Sequence, residues 1–311
     1  FIYDDYGLSW DEYNERTSGF VSLNYIRDSL SYEIYQNFPK LSNYIYAEYG
    51  VVFNLPMAFI EKTFQIDDSK QFFLIRHLFN FTVFFISSIF FFLLLSKRFS
   101  KILSIIGLIF FYLSPRIFAE SFYNNKDIIF LSFFIISLFY AISFLNTPSY
   151  KNNFLLSVTC SLAIATRVLG IIVPFVVLVF FILRHLDKKN NLKKNIFRII
   201  VFFFLVNTFT LLFWPYLWND PINNLLNTFE SMSAYQWRGG IFYLNEYISG
   251  LNLPWHYPIV WILISTPILY LFLFFLGSYL ILVRFLKRFI NLSKKKIFND
   301  IYRGNKERMD I

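Results

Sequence analysis

The chain has 311 residues, of which 56% are hydrophobic, 23% aromatic and only 16% charged, with a mean hydropathy of +0.49. These proportions lie well outside those of ordinary soluble domains and place the chain among membrane proteins. The single cysteine, Cys160, excludes an intrachain disulfide and a thiolate metal cluster, and His77, His185 and His256 are too scattered to suggest a histidine metal site.

The first residue is Phe1 with no signal peptide ahead of it, so the chain reads as beginning partway through a longer protein. Residues 1–75 hold no spanning segment. They open with GLSWDEYNERTSG, which sets Asp11 and Glu12 side by side in a stretch rich in Trp and Tyr. At a membrane face such a carboxylate can be partly desolvated and made basic enough to abstract a proton. From Asp11 to about Phe38, the residues Phe20, Leu23, Ile26, Leu30 and Ile34 recur at three- and four-residue spacing. That stripe predicts an amphipathic helix lying in the interface plane. A second short helix is predicted over 50–64, which contains Pro56.

Seven spanning segments follow, at about 76–95, 102–118, 128–145, 154–168, 170–183, 196–213 and 258–283. A bilayer core of about 30 Å needs roughly 20 apolar residues, so 154–168 and 170–183 form a short pair. Pro258 and Pro267 are tolerated as a first helical residue and a kink. Residues 214–257 form a large connection bounded by WPYLWNDP and PWHYP, whose aromatics suit an interfacial belt and whose Asp220-Pro221 suits a helix start. Residues 284–311 are a basic tail. The chain therefore reads as an all-α integral membrane protein: a non-cytoplasmic segment 1–75, a transmembrane bundle 76–283 and the tail.

Basic residues set the orientation. The connections 96–101, 146–153 and 184–198 and the tail carry 19 Lys/Arg against four acids, and the opposite face carries 10 against 16. The positive-inside rule puts 1–75, 114–127 and 214–257 outside the cytoplasm. The net charge of +9 is thus a cytoplasmic-face effect, not a nucleic-acid footprint. Topology alone accounts for the tail, which could also touch anionic lipid headgroups.

Several residues on the non-cytoplasmic face are candidates for chemistry. Asp11 and Glu12 fit either a helix N-terminus, where acids complement the dipole, or a general base facing a membrane-borne substrate. In SPRIFAESFYNNKDIIF (114–130), Arg116 and Lys126 could bind a phosphate, with Asp127 pairing to Lys126 or to a substrate group. Snorkelling side chains in an interfacial connection are the plainer account. Arg167 in ATRVLG suits a lipid-linked phosphate or a helix-end anchor. Arg238 in QWRGG and His256 in PWHYP complete the set, His256 doubling as a belt residue.

WDE at 10–12, SPR…NNKD at 114–127, ATRVLG at 165–170, WPYLW at 214–218 and PWHYP at 254–258 resemble, in order and in clustering on one face, the GT-C membrane glycosyltransferases. The resemblance is to the family 39 group, related to protein O-mannosyltransferases and aminoarabinose transferases. It implies a GT-C-type helix bundle that moves a sugar from a polyprenyl phosphate to an acceptor outside the cytoplasm, with inversion at the anomeric carbon. Asp11 would then be the base, Glu12 would orient Asp11 or the acceptor, and Arg116, Lys126 and Arg167 would hold the phosphate. No metal or other cofactor is implied. The acceptor is left open among lipid, protein and glycan, and the location would be a bacterial inner membrane with a periplasmic active site. Members usually carry a helix before the acidic stretch and more helices after 258–283; here the first is missing and the chain stops in a basic tail, so it reads as either a fragment or a minimal fold. A transporter or flippase of lipid-linked sugars is the alternative, but it should carry charges at the bilayer midplane and repeated halves. A non-catalytic scaffold is a third reading, under which Asp11→Asn is harmless.

Overall fold

The computed structural model describes residues 2–35, 37–186, 192–233 and 239–295, and it forms two compact units, 1–229 and 230–311. The first unit contains α1 (Glu12–Ser29), α2 (Asn54–Thr63), α3 (Ser69–Ser96), α4 (Lys101–Tyr112), α5 (Pro115–Tyr123), α6 (Asp127–Asn146), α7 (Tyr150–Ile164), α8 (Ile172–Leu186), α9 (Leu192–Phe213) and most of α10 (Pro221–Ser233). The protein is an all-α membrane protein. In the first unit α3, α6 and the Ile196–Phe213 part of α9 are long and apolar enough to cross a bilayer.

The seven evenly counted spans are resolved into unequal pieces. Segment 102–118 breaks at Ser114, whose extended backbone precedes Pro115, and α4 and α5 meet there at a bend of 63°. The clash of a proline ring with the preceding residue disfavours helix at that residue, which is why the break falls there. The short pair is present as α7 and α8, of 15 residues each. Each is about 22 Å long, less than a hydrocarbon core. Helix α3 starts at Ser69 rather than 76, because Asp68 accepts from the backbone N–H groups of Lys70 and Gln71 and caps it there.

Small polar residues fasten α7 into the bundle. It packs against both α6 and α9, with Leu156, Cys160 and Ala163 fully buried. Ser161 Oγ donates to the Val206 carbonyl at 2.9 Å and Ser157 Oγ lies 3.4 Å from that of Phe202. Helices in a membrane approach through such small residues because lipid is as apolar as their own side chains.

Ahead of the bundle, α1 and α2 pack together through Phe20, Leu23 and Ala58, and Met57 with Phe53 packs on Ile129 of α6. Gly19 makes this possible, since a Cβ there would stand 2.3 Å from the Asn54 carbonyl oxygen. The predicted helix from Asp11 to Phe38 is shortened. It ends at Ser29, with Ser31 and Asn37 at φ of 61° and 78°, and Leu30 and Ile34 are exposed. Asn24 draws the returning chain back: its Nδ2 donates to the Tyr35 carbonyl and its Oδ1 accepts from the Tyr35 N–H, both at 2.9 Å.

The second unit holds a hairpin of β1 (Gly240–Tyr243) and β2 (Glu246–Ser249), antiparallel, with Gly240 opposite Ser249 and Tyr243 opposite Glu246. Leu244 and Asn245 both have positive φ, as a type I′ two-residue hairpin turn requires. The single kinked span predicted at 258–283 is instead two helices, α11 (Tyr257–Ser265) and α12 (Ile268–Lys295), separated at the extended Thr266 before Pro267. The Ile268–Lys287 portion of α12 alone is long enough to cross.

Candidate functional site

Consecutive residues on a helix point about 100° apart, so the Asp11-Glu12 pair is divided by the fold. Asp11 is the N-cap residue of α1, but its exposed carboxylate makes no capping hydrogen bond. Glu12 turns inward and is 1% exposed. Its Oε2 accepts from the Ser9 N–H at 2.6 Å and its Oε1 lies 2.7 Å from His77 Nε2 at the head of α3. The other ring nitrogen of His77 lies 3.4 Å from the Tyr3 carbonyl oxygen, and Tyr6 stacks on Phe122 of α5. Through these contacts the segment before α1 is held against α3 and α5.

One turn further on, Glu15 is buried and links three elements. It accepts from Asn54 Nδ2 of α2 at 2.6 Å and from Lys126 Nζ, at the start of α6, at 3.1 Å. Asn54 Oδ1 in turn accepts from Arg76 Nη1 of α3 at 3.2 Å. Arg76 Nη2 lies 3.9 Å from Glu61 Oε2, and Glu61 also receives Arg16, whose Nε donates at 3.0 Å. Glu15 and Glu61 thus meet Lys126, Arg16 and Arg76 while Glu12 meets His77, with Glu12, Glu61 and Arg76 each at least 97% buried. Buried charge of this kind is tolerated only when paired and hydrogen-bonded.

The cationic groups nearest the surface gather at the start of α6. Lys126 Nζ lies 3.4 Å from the Tyr49 ring centroid, a cation–π contact beyond its ion pair with Glu15. Asp127 pairs with Arg167 rather than with Lys126, because Lys126 is turned to Glu15. Arg167 comes from the turn between α7 and α8, and its Nε is buried without a hydrogen-bond partner. Gly50 lets the preceding loop close over this turn, since a Cβ there would meet the Ala165 carbonyl oxygen at 1.7 Å. Asn124 organises the approach. Its Oδ1 accepts from the Asp127 N–H at 2.8 Å, and its Nδ2 donates to both Asp127 and Glu120. Arg116 is the far end of that chain, an exposed residue whose Nε donates to Glu120 at 2.9 Å.

The candidates outside this group stand apart. Arg238 lies outside the described residues. His256 belongs to the second unit, where its Nδ1 is 2.7 Å from the Tyr243 hydroxyl and its ring lies edge-on to Trp255. Among the described residues no group of three or more His, Cys, Asp or Glu side chains is placed to hold a metal ion. Glu15, Asn54, Glu61, Arg76 and His77 are the participants that the sequence reading passed over. Arg76-His77 at the head of an apolar helix was a usable signal, since ionisable residues there are costly unless paired.

Residues 56–214 match the family model of dolichyl-phosphate-mannose-protein mannosyltransferases. No curated protein and no solved structure matches the chain. The match runs from within α2 to the end of α9 and takes in Arg76, Lys126, Asp127 and Arg167. With half of its length covered, the chain belongs to the dolichyl-phosphate-mannose-protein mannosyltransferase family of membrane glycosyltransferases.

Proposed function

We propose that the protein transfers a sugar, with inversion, from a polyprenyl-phosphate donor to an acceptor hydroxyl on the non-cytoplasmic side of the membrane. The observation that carries this reading is one junction. Asp11, with an uncommitted carboxylate, stands one helical turn from Glu15, and Glu15 holds Lys126, which neighbours the Asp127–Arg167 pair. A base and a cationic group are thereby joined through the same few residues.

In this mechanism Asp11 takes the proton of the acceptor hydroxyl as its oxygen attacks the anomeric carbon from the face opposite the phosphate. The bond from that carbon to the phosphate oxygen breaks and the lipid phosphate leaves with one more negative charge. Lys126 and Arg167 meet that charge. Asp127 orients Arg167, and Arg116 lies further out as a guide for the headgroup. Glu12 acts by position: anchored to His77 and Ser9, it fixes the start of α1 and so the direction in which Asp11 points.

The test is transfer of labelled sugar from a polyprenyl-phosphate donor by the full-length protein and by Asp11→Asn in lipid nanodiscs. Loss of a general base lowers kcat by about 10²–10⁴-fold with donor binding kept. Equal turnover by both proteins would remove Asp11 from catalysis.

A further inference from the structure

Beside the charged junction, and separate from its residues, lies a cavity of about 630 Å³ bounded by α1, the 38–48 loop and the Tyr216–Asn224 segment. That is within the roughly 300–1,000 Å³ of ordinary ligand sites. Its charged wall is Asp28, Glu48 and Asp220 against Lys40 alone. Among the described residues Asp28, Glu48 and Lys40 are in no ion pair, so their charged groups are unspent. An excess of carboxylate repels phosphate, so the lipid-phosphate end of a donor does not belong here.

The remaining lining is polyol-like in its hydrogen-bonding needs. Tyr25, Tyr44 and Tyr216 offer ring faces with hydroxyls, and Asn219 and Asn224 add amides. Burial pushes the Tyr44 and Tyr216 phenols up from their ordinary pKa, with Glu48 adding to the effect at Tyr216. Both hydroxyls therefore stay protonated, and as neutral phenols they can still accept from a ligand hydroxyl. Carboxylates accept only, while amides and phenols do both, a mixture that matches sugar hydroxyls. The wall is also braced. Tyr25 donates to Asn219 Oδ1 at 2.9 Å, and Tyr44 donates to the Asn14 carbonyl at 3.0 Å.

The loop wall relates the cavity to the junction. Glu48 faces the cavity, Tyr49 lies on Lys126, and Gly50 packs on Ala165, two residues before Arg167. Three consecutive residues thus separate the cavity from the cationic groups.

We propose that this cavity binds the saccharide portion of the acceptor, a neutral oligosaccharide, through Asp28, Glu48 and the Tyr25–Tyr44–Tyr216 surface. The word acceptor rests on the transferase reading above; the binding of saccharide does not. The experiment is saturation-transfer NMR on the full chain in nanodiscs with mannotriose, maltotriose and chitotriose as probes and a lysine-rich Ser/Thr peptide as the competing class. The variants are Asp28→Ala, Glu48→Ala and Asp11→Asn. Saturable binding of at least one trisaccharide, weakened about tenfold by Asp28→Ala and by Glu48→Ala but unchanged in Asp11→Asn, is the expected result. Failure of every trisaccharide to bind, binding indifferent to both cavity substitutions, or binding of the peptide alone overturns the assignment. If Asp11→Asn transfers sugar normally while the cavity variants lose saccharide, the catalytic reading falls and the saccharide site stands. Loss of transfer in Asp11→Asn without any saccharide binding has the reverse meaning.

Discussion

Arg76 is the residue on which the buried network turns. It is 2% exposed, donates to Asn54 and faces Glu61 across 3.9 Å. Removing it leaves Asn54 Oδ1 without its donor and Glu61 with Arg16 alone. Deleting one member of an isolated buried pair costs about 3–5 kcal/mol; Glu61 keeps Arg16, so the main loss is the donor to Asn54, about 1–3 kcal/mol for a buried acceptor left unsatisfied. Arg76→Ala should therefore destabilise the protein by about that amount and lower its thermal midpoint in nanodiscs, and a midpoint equal to the parent's would show the network to be energetically idle. At this scale the sequence was half legible. Lys126, Asp127 and Arg167 stood out as charges in apolar surroundings, and the structure gathers all three. The acidic pair was seen, but not that Asp11 faces out while Glu12 faces in. The buried partner of Lys126 is Glu15, three residues from Glu12 on the same face, and helical spacing alone pointed to it. The Asp127–Arg167 pairing spans 40 residues of chain, which no local pattern encodes.

Elements were legible where apolar length decides them and less so where backbone sterics do. Helices α3, α6 and α9 follow their apolar runs, whereas the breaks at Ser114 and Thr266 come from the prolines that follow. The early end of α1 required knowing that Asn24 would capture Tyr35, a contact across 11 residues. The 47–50 loop is the element with the largest consequence, since it contributes to both the cavity wall and the cover of Lys126. Its closeness to the end of α7 depends on Gly50, where a Cβ would fall 1.7 Å from a carbonyl oxygen. Gly50→Ala must push the loop off α7, carrying Tyr49 away from Lys126. A cost at or above the usual 1–3 kcal/mol of overpacking is expected, with a parallel loss of sugar transfer. Gly7→Ala is the control, because a Cβ there meets nothing within 4 Å. Matching midpoints for the two variants would mean that the loop yields without strain.

Across the whole chain, the charge distribution along α3 carries the orientation. Arg76 and His77 are buried near one end among carboxylates, and Lys97 follows the other end about 30 Å away, one hydrocarbon thickness. Lys97 reaches the end of α6, where its Nζ donates to Ser143 Oγ and lies 3.6 Å from the Phe139 ring centroid. Arg98 and Lys101 adjoin it, while acids dominate residues 1–75. If basic connections face the cytoplasm, Asp11 and its neighbours face the other way. The protein supplies its own silent background for testing this. Its single cysteine, Cys160, is fully buried, so a membrane-impermeant maleimide applied to intact cells should not reach it. Asp5 and Lys101 are both exposed and lie on opposite sides of the apolar length of α3. Asp5→Cys should label in intact cells, and Lys101→Cys only after the membrane is opened. The reverse pattern would turn the molecule over and put the proposed transfer on the cytoplasmic side; labelling of both in intact cells would mean that α3 does not cross.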